Sequence, residues 1–430
     1  MIRAFLALTL GVLTAVVLVT PAPDLPETDP AAAVDPPPVA VCPVEEGSGR
    51  STTVGIASRI NGEGRFTAFL GGGPVGSIAF STGASGSTAI ALADVAAVGT
   101  AAGLAELPGP DSAAGSLLMG TESVALEACL STPIQQTLLA GGSTVSDVQY
   151  QVHLMNPYAG EAVVDLIVQS ESGLEAVPEL RGISVPSRSS TVLDLSEMLP
   201  GRESLSITIE AVSGSVMAAG RYGVGADVAL WRSVAPGLDW FVPIPANAAG
   251  GDLVISTGVA AEVEYQLDVY GPEGVVEAFR EGVVPARGIS VISLGELGFE
   301  VASAMRVVST QPVGVFLRSV SDTGVAITSG ATSTASRWFL PAAGLAPGNT
   351  GSTVVLNAGL DDATVIVTAH RDQSAARQYD VPAGTVIEVA AIEGGANAYS
   401  VRGEGALVPL SVTVTPTATA YSVGVPLPDE

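Results

Sequence analysis

Val263, Tyr265, Leu267 and Val269 alternate with Glu262, Glu264, Gln266 and Asp268, and Tyr150, Val152 and Leu154 alternate with Gln149, Gln151 and His153. A period of two held over seven or eight residues describes a strand with one face buried. Further β-rich runs are predicted at Ser204–Ala211, Ala304–Ser309, Pro312–Val320, Thr353–Asn357, Thr364–Thr368 and Thr385–Val389, with Gly, Pro, Asn, Asp and Ser in the gaps. No helical period of useful length follows Thr20, and only Ala89–Leu107 is ambiguous. The chain reads as all-β.

The runs recur. Val185-Pro186-Ser187-Arg188 returns as Val284-Pro285-Ala286-Arg287 and as Val381-Pro382-Ala383-Gly384, with the prolines 99 and 97 residues apart. Trp240-Phe241-Val242-Pro243 is echoed 98 residues on by Trp338-Phe339-Leu340-Pro341. A period near 98 residues fits tandem immunoglobulin-like β-sandwich units; propeller blades repeat every 40–50 residues. The division is 48–142 (a degenerate first unit, Gly-rich and weakly repeating), 143–242, 243–341 and 342–430, strung as a rod-like array. Pro186, Pro285 and Pro382 suit turns between strands, because proline fixes φ and cannot donate to a ladder. Trp240 and Trp338 read as plugs between sheets, with sugar stacking as the rival.

The N-terminus departs from this pattern. Residues 4–20 carry no charge, Arg3 precedes them and Asp24, Glu27, Asp29 and Asp35 follow. Seventeen residues span about 25 Å as a helix, short of the roughly 30 Å hydrocarbon core but long for a signal sequence. Residues 1–22 are therefore either an uncleaved signal-anchor helix or a removed signal peptide, and both place the body outside the cytoplasm. Residues 23–47 form a Pro-rich linker. The protein is anchored in the cytoplasmic membrane by residues 4–20, or secreted if cleaved.

Composition narrows the chemistry. Seventeen basic residues, all arginine, face 43 acidic ones, for a net charge of −26. That balance argues against a nucleic-acid partner. A chain without lysine has no P-loop, no Schiff base and no SxxK dyad. His153 and His370, the only histidines, read as solvent-facing residues at equivalent places of two units, with no HExxH, HxH or CxxC nearby. No Gly-x-Ser-x-Gly elbow and no DxDxDG loop occur. No catalytic, cofactor-binding or metal-binding residue is assigned, and no cofactor is expected. Cys42 and Cys129, the only thiols, are expected to form a disulfide outside the cell. The rival reading takes Val39-Ala40-Val41-Cys42 as a lipobox.

Several of these features together resemble an actinobacterial family of exported proteins, domain of unknown function 5719. They are Cys42 with Cys129, the Gly141-Gly142 opening that leads to Leu154-Met155-Asn156-Pro157, Val185-Pro186, and Trp240 before a new unit. The resemblance implies an anchored or secreted tandem β-sandwich protein of the cell envelope and transfers no catalytic residue. The expected function is a non-enzymatic scaffold or binding module of the bacterial envelope, with an envelope protein or glycopolymer as partner. A cell-surface receptor for carbohydrate or protein, and an enzyme subunit acting on envelope glycopolymers, are the alternatives.

Overall fold

A computed structural model describes residues 38–430, except 48, 71–72, 84–85, 97–101, 132–134, 249, 322–323, 342–348, 371–374, 393–395, 397 and 429–430. The apolar run 4–20 and most of the Pro-rich linker lie outside the described residues. Among the described residues no helix is long and apolar enough to cross a membrane.

Four sets of eight strands repeat one pairing scheme. In the first set, Val39–Pro43, Ala102–Glu106, Gly62–Leu70 and Gly73–Thr82 form one antiparallel sheet in that order. Gly86–Ala91, Arg50–Ser58, Ser112–Gly120 and Val124–Ala128 form the other. In chain order, strands one, six, three and four share the first sheet, and strands five, two, seven and eight share the second. The second set repeats this from Gln136–Gly142 to Asp227–Arg232, the third from Gly237–Ile244 to Gly324–Ser329, and the fourth from Ala335–Pro341 to Thr419–Val423. In the last two sets the sixth and seventh strands are one continuous strand, Ser303–Ser321 and Ala398–Val414, which passes from the first sheet to the second. The crossings lie near Pro312 and at Gly403-Glu404-Gly405, where φ of Gly405 is +142°. A residue without a donor, or one free of Cβ, allows the ladder to change partners there.

Sheet pairing divides the chain a little earlier than the sequence repeat suggests. Gln136–Gly142, Gly237–Ile244 and Ala335–Pro341 pair with the sheet that follows each of them in sequence. The first set is complete in topology. The ambiguous stretch 89–107 holds the end of Gly86–Ala91, a 3-10 turn at Leu92–Asp94 and the strand Ala102–Glu106.

Period two decides the cores. Tyr150, Val152 and Leu154, and Val263, Tyr265 and Leu267, all point between their sheets and are buried. The histidines differ from expectation. Both are buried, His153 on Val148–Asn156 and His370 on Ala363–His370, a second and a third strand, so they are not equivalent. Their neighbours cover the second face of these sheets as well, a tertiary effect that alternation along one strand does not report.

The Val-Pro turns have a local cause. Asn156 Nδ2 donates to the carbonyls of Gly160 and Val185, and Asn357 Nδ2 to those of Asp361 and Val381. Each asparagine thereby fastens a loop to the Val-Pro segment. Two residues past each proline the backbone is left-handed: φ is 49° at Arg188, 46° at Arg287 and 63° at Gly384. The N–H of each donates to the preceding loop, at Tyr158, Val259 and Gly359. Left-handed backbone costs a side-chain-bearing residue about 1–2 kcal/mol. Arg188→Gly and Arg287→Gly are therefore each expected to stabilise by about 1 kcal/mol, and Gly384→Ala to destabilise by a similar amount, in urea denaturation; a loss of stability in both arginine variants contradicts this.

The units do not form a rod. The first sheet of each packs against the second sheet of the next. Val41, Phe69 and Leu104 meet Met155, Met217 and Ala219 between units 1 and 2. Leu138 meets Gly314, and Thr208 meets Gly258, between units 2 and 3. Asn247 accepts from the Tyr421 hydroxyl at 3.0 Å between units 3 and 4. Phe339, Pro341 and Ala398 then meet Ala113 and Gly115, so unit 4 closes on unit 1. A head-to-tail contact yields a ring when its rotation closes. The physical reason is on the outward faces: an open array leaves the apolar faces of units 1 and 4 in water, and the ring buries both.

Candidate functional site

The eighth strands, Val124–Ala128, Asp227–Arg232, Gly324–Ser329 and Thr419–Val423, contact one another in cyclic order around the ring axis. Past each of them the chain returns to the free side of its own first strand. Leu130 bridges Val41, Val234 bridges Leu138, Ala331 bridges Phe241 and Val425 pairs with Phe339. The residue before each bridge is Cys129, Ser233, Gly330 or Gly424. Its N–H donates to Ala114, Ala218, Val315 or Pro409 respectively.

Cys42 and Cys129 are joined at this closure in unit 1, with Cα atoms 4.4 Å apart. In units 3 and 4 the same pair is Val242 with Gly330 and Leu340 with Gly424. A Cβ on either glycine would lie within 2.9 or 3.1 Å of the facing side chain. One covalent closure thus corresponds to apolar packing elsewhere in the ring.

The eighth strands are sheet edges, whose backbone N–H groups need partners once buried. Side chains of neighbouring units supply them. Glu127 accepts from Arg232 N at 3.2 Å, Ser422 from Ala128 N at 3.2 Å, and Thr328 from Val423 N at 3.2 Å. All three acceptors stand three residues before their closing residue, so the links run from unit 3 to 4, 4 to 1 and 1 to 2. The equivalent of unit 2 is Trp231, which offers no acceptor and stacks on Tyr150 with centroids 5.5 Å apart. Asp227 covers that gap at the other end of the axis, accepting from Val325 N at 2.7 Å and from Val124 N at 3.3 Å.

Two acids are therefore buried at a four-way junction. Glu127 is 1 % exposed; burial pushes its carboxyl up to about 7, against the opposing pull of Arg232, the N–H groups of Arg232 and Ala128, and the Ser422 hydroxyl. Asp227 is pushed up to about 6 by burial, against three backbone N–H groups and the charge of Arg50. The Arg232 guanidinium lies 3.8 Å from Glu127 and donates to the carbonyl of Gly424 at 3.3 Å. Glu45, in contrast, is pushed up by burial, yet Arg221 and Arg50 together hold it below the usual carboxylate range. Arg221 Nε donates to it across the junction of units 1 and 2 at 2.7 Å.

The sign of the pH dependence follows. Glu127 and Asp227 keep their protons in the folded chain after the unfolded chain, with ordinary values of 4.5 and 3.8, has released them. Their contribution is full below about pH 4 and is lost as pH rises through about 6 and 7. The melting temperature is expected to fall by a few degrees between pH 5 and pH 8, and Glu127→Gln to flatten the part near 7, in scanning calorimetry. A melting temperature that rises over this range contradicts the assignment.

At the closing end of the axis a cavity of about 220 Å³ opens between units 2, 3 and 4, bounded by Arg232, Ser233, Trp240, Ala331, Trp338 and Pro426. Both indoles are 1 % exposed. Trp240 Nε1 donates to Val313 O at 2.9 Å and Trp338 Nε1 to Ala335 O at 3.0 Å. They are core plugs and offer no face for a sugar to stack on. Among the described residues no group of three His, Cys, Asp or Glu is placed to hold a metal ion. Pro186, Pro285 and Pro382 lie in the turns before fifth strands, away from the axis.

Residues 81–391, well over half of the chain, match a family of unknown function, DUF5719. The chain belongs to that family. The family match takes in Cys129, all three Val-Pro turns, both acids of the axis and both repeated tryptophans. No curated protein matches the sequence. Among solved structures, a tetra-tandem repeat from the extending region of a large adhesion protein aligns with 90 % of this chain and 98 % of its own, at 11 % identity. Its TM-score of 0.11 is too low for the alignment to bear on fold or function.

The axis was marked in the sequence by a signal weaker than the prolines. Val124-Ala125-Leu126, Val228-Ala229-Leu230, Val325-Ala326-Ile327 and Thr419-Ala420-Tyr421 recur, with an alanine four residues before Cys129, Ser233, Gly330 and Gly424. Val41-Cys42-Pro43 is likewise the first unit's version of Phe241-Val242-Pro243. Short apolar triplets are too common in a chain this rich in Val and Ala to stand out without the pairing.

Proposed function

We propose that this member of the family is an exported, non-enzymatic scaffold or binding module of the bacterial cell envelope, acting as a closed ring and carried on the hydrophobic segment 4–20 as an anchor or a removed signal. One observation carries the reading. The two acids with raised pKa, which elsewhere mark a catalytic site, accept from backbone N–H groups of neighbouring units, Arg232 for Glu127 and Val124 and Val325 for Asp227, and serve as joints. The disulfide suits an oxidising compartment. The units are immunoglobulin-like in size and in their two packed sheets. Their first strand stands beside the sixth, and the seventh beside the second, which differs from the order in an immunoglobulin domain. A surface receptor is the second reading, supported by an open groove on unit 3.

A reporter fused after residue 430 and active only outside the cytoplasm tests the location. Signal from intact cells, with the protein retained in the envelope fraction, is the expected result. Cytoplasmic activity alone overturns the reading, as do two free thiols found by mass spectrometry in protein trapped from cells.

A further inference from the structure

The fourth strands form the outer edges of the first sheets, and they are not alike. That of unit 2 is broken into Gly173–Leu174 and Ile183–Val185. That of unit 1 carries Pro74 near its start, and that of unit 4 is seven residues long. Gly274–Val284 of unit 3 runs for eleven residues, is paired on one side only among the described residues, and is exposed from Val275 to Glu281. Val275, Val276, Phe279 and Val283 all face water. A bulge at Ala278 (φ 49°), whose N–H donates to Asp268 at 2.9 Å, separates a straight run, Phe279–Val284, from the rest.

Beside that run lies an open groove of about 590 Å³. The strand register sets its outward face as two rows, Val283–Glu264–Thr310 and Glu281–Gln266–Val308. Glu264 and Glu281 form no ion pair among the described residues, and no cation lines the groove. An open ladder, apolar side chains and unpaired carboxylates on one face suit strand addition, in which main-chain bonds supply affinity and alternate side chains supply selectivity.

We propose that Phe279–Val284 and the adjoining groove accept an extended segment of another protein as an added strand, one in which cationic side chains alternate with apolar ones. A second copy of this chain fits poorly. The two-fold pairing that sets Phe279 opposite itself sets Glu277 against the second copy's Glu281, and like charges directly opposite are unfavourable. The whole chain, at −26, also repels its like.

The proposal rests on the binding-module reading and can fail without it, since cellular location is measured separately. The probe is an acetylated and amidated Val-Lys-Val-Lys-Val-Lys-Val peptide titrated into the full chain by calorimetry. Saturable binding is expected, weakened about tenfold by Glu264→Gln with Glu281→Gln, unchanged by Glu122→Gln with Glu404→Gln, and absent for the Val-Glu counterpart. N-methylation of the peptide's valines, which removes ladder donors and keeps every charge, is expected to abolish it. No binding at millimolar peptide, equal loss in both pairs of variants, or full binding of the N-methylated peptide overturns the proposal. So does a dimer in sedimentation that Phe279→Asp dissolves.

Discussion

Replacing Cys42 and Cys129 together by alanine is expected to cost the chain up to about 4.6 kcal/mol, the loop-closure entropy of a bridge between residues 87 apart. Both cysteines are buried, at 0 % and 3 % exposure, so small apolar replacements leave the packing nearly intact. The loss should be local. Val39–Pro43 is held by Ala102–Glu106 on one side and by the single Leu130 bridge on the other, and the disulfide lies at that bridge. Hydrogen exchange should show protection falling first in Val39–Pro43 and Ala102–Glu106, with the Trp338 region of unit 4 following because Phe339 packs on Ala113. A urea midpoint that moves by less than about 1 kcal/mol, or exchange that rises evenly over the ring, contradicts the account.

At pH 8, where its carboxyl is ionised, Glu127→Ala is expected to cost about 3–5 kcal/mol, as when one partner of a buried ion pair is removed. The change deprives two backbone donors, Arg232 N and Ala128 N, of an acceptor, the latter keeping only Ser422. It also leaves the Arg232 guanidinium, 13 % exposed, without its carboxylate. Glu127→Gln keeps one acceptor oxygen and should cost markedly less, by about half. Thermal or urea denaturation of the two variants separates a structural joint from an incidental burial, because an incidental carboxylate predicts little loss in either. Adding Arg232→Leu to Glu127→Ala should restore part of the stability, since the uncompensated charge is then gone.

Much of the fold could be read along the chain. The alternation at 148–156 and 263–269 reports a face, and a face is a property of neighbouring residues in one strand. The Val-Pro recurrence marks a turn made by local backbone, down to the left-handed residue two positions later. The disulfide followed from two thiols and the expectation of an oxidising setting. Assignments that needed a second element went differently. His153 sits on the polar phase of its strand but is covered from outside, and unit 1 looked degenerate because its glycines and alanines obscure strands that pairing makes plain.

The same division explains the site. The acids of the axis are two among 43 in the sequence, and the common apolar triplets beside Glu127 and Asp227 are too weak a mark to set them apart from solvated surface residues. Glu127 becomes a joint only when unit 2 brings the Arg232 N–H to it, and Asp227 only when units 1 and 3 bring those of Val124 and Val325. The sequence by itself determined strand content, repeat length and the covalent closure, because these depend on residues near in the chain or on chemistry carried by one residue type. Tertiary structure alone decided that four units close into a ring instead of a rod, and which acids lie at its axis. Closure depends on a rotation between packed faces, summed over four contacts, and no single stretch of sequence carries that sum.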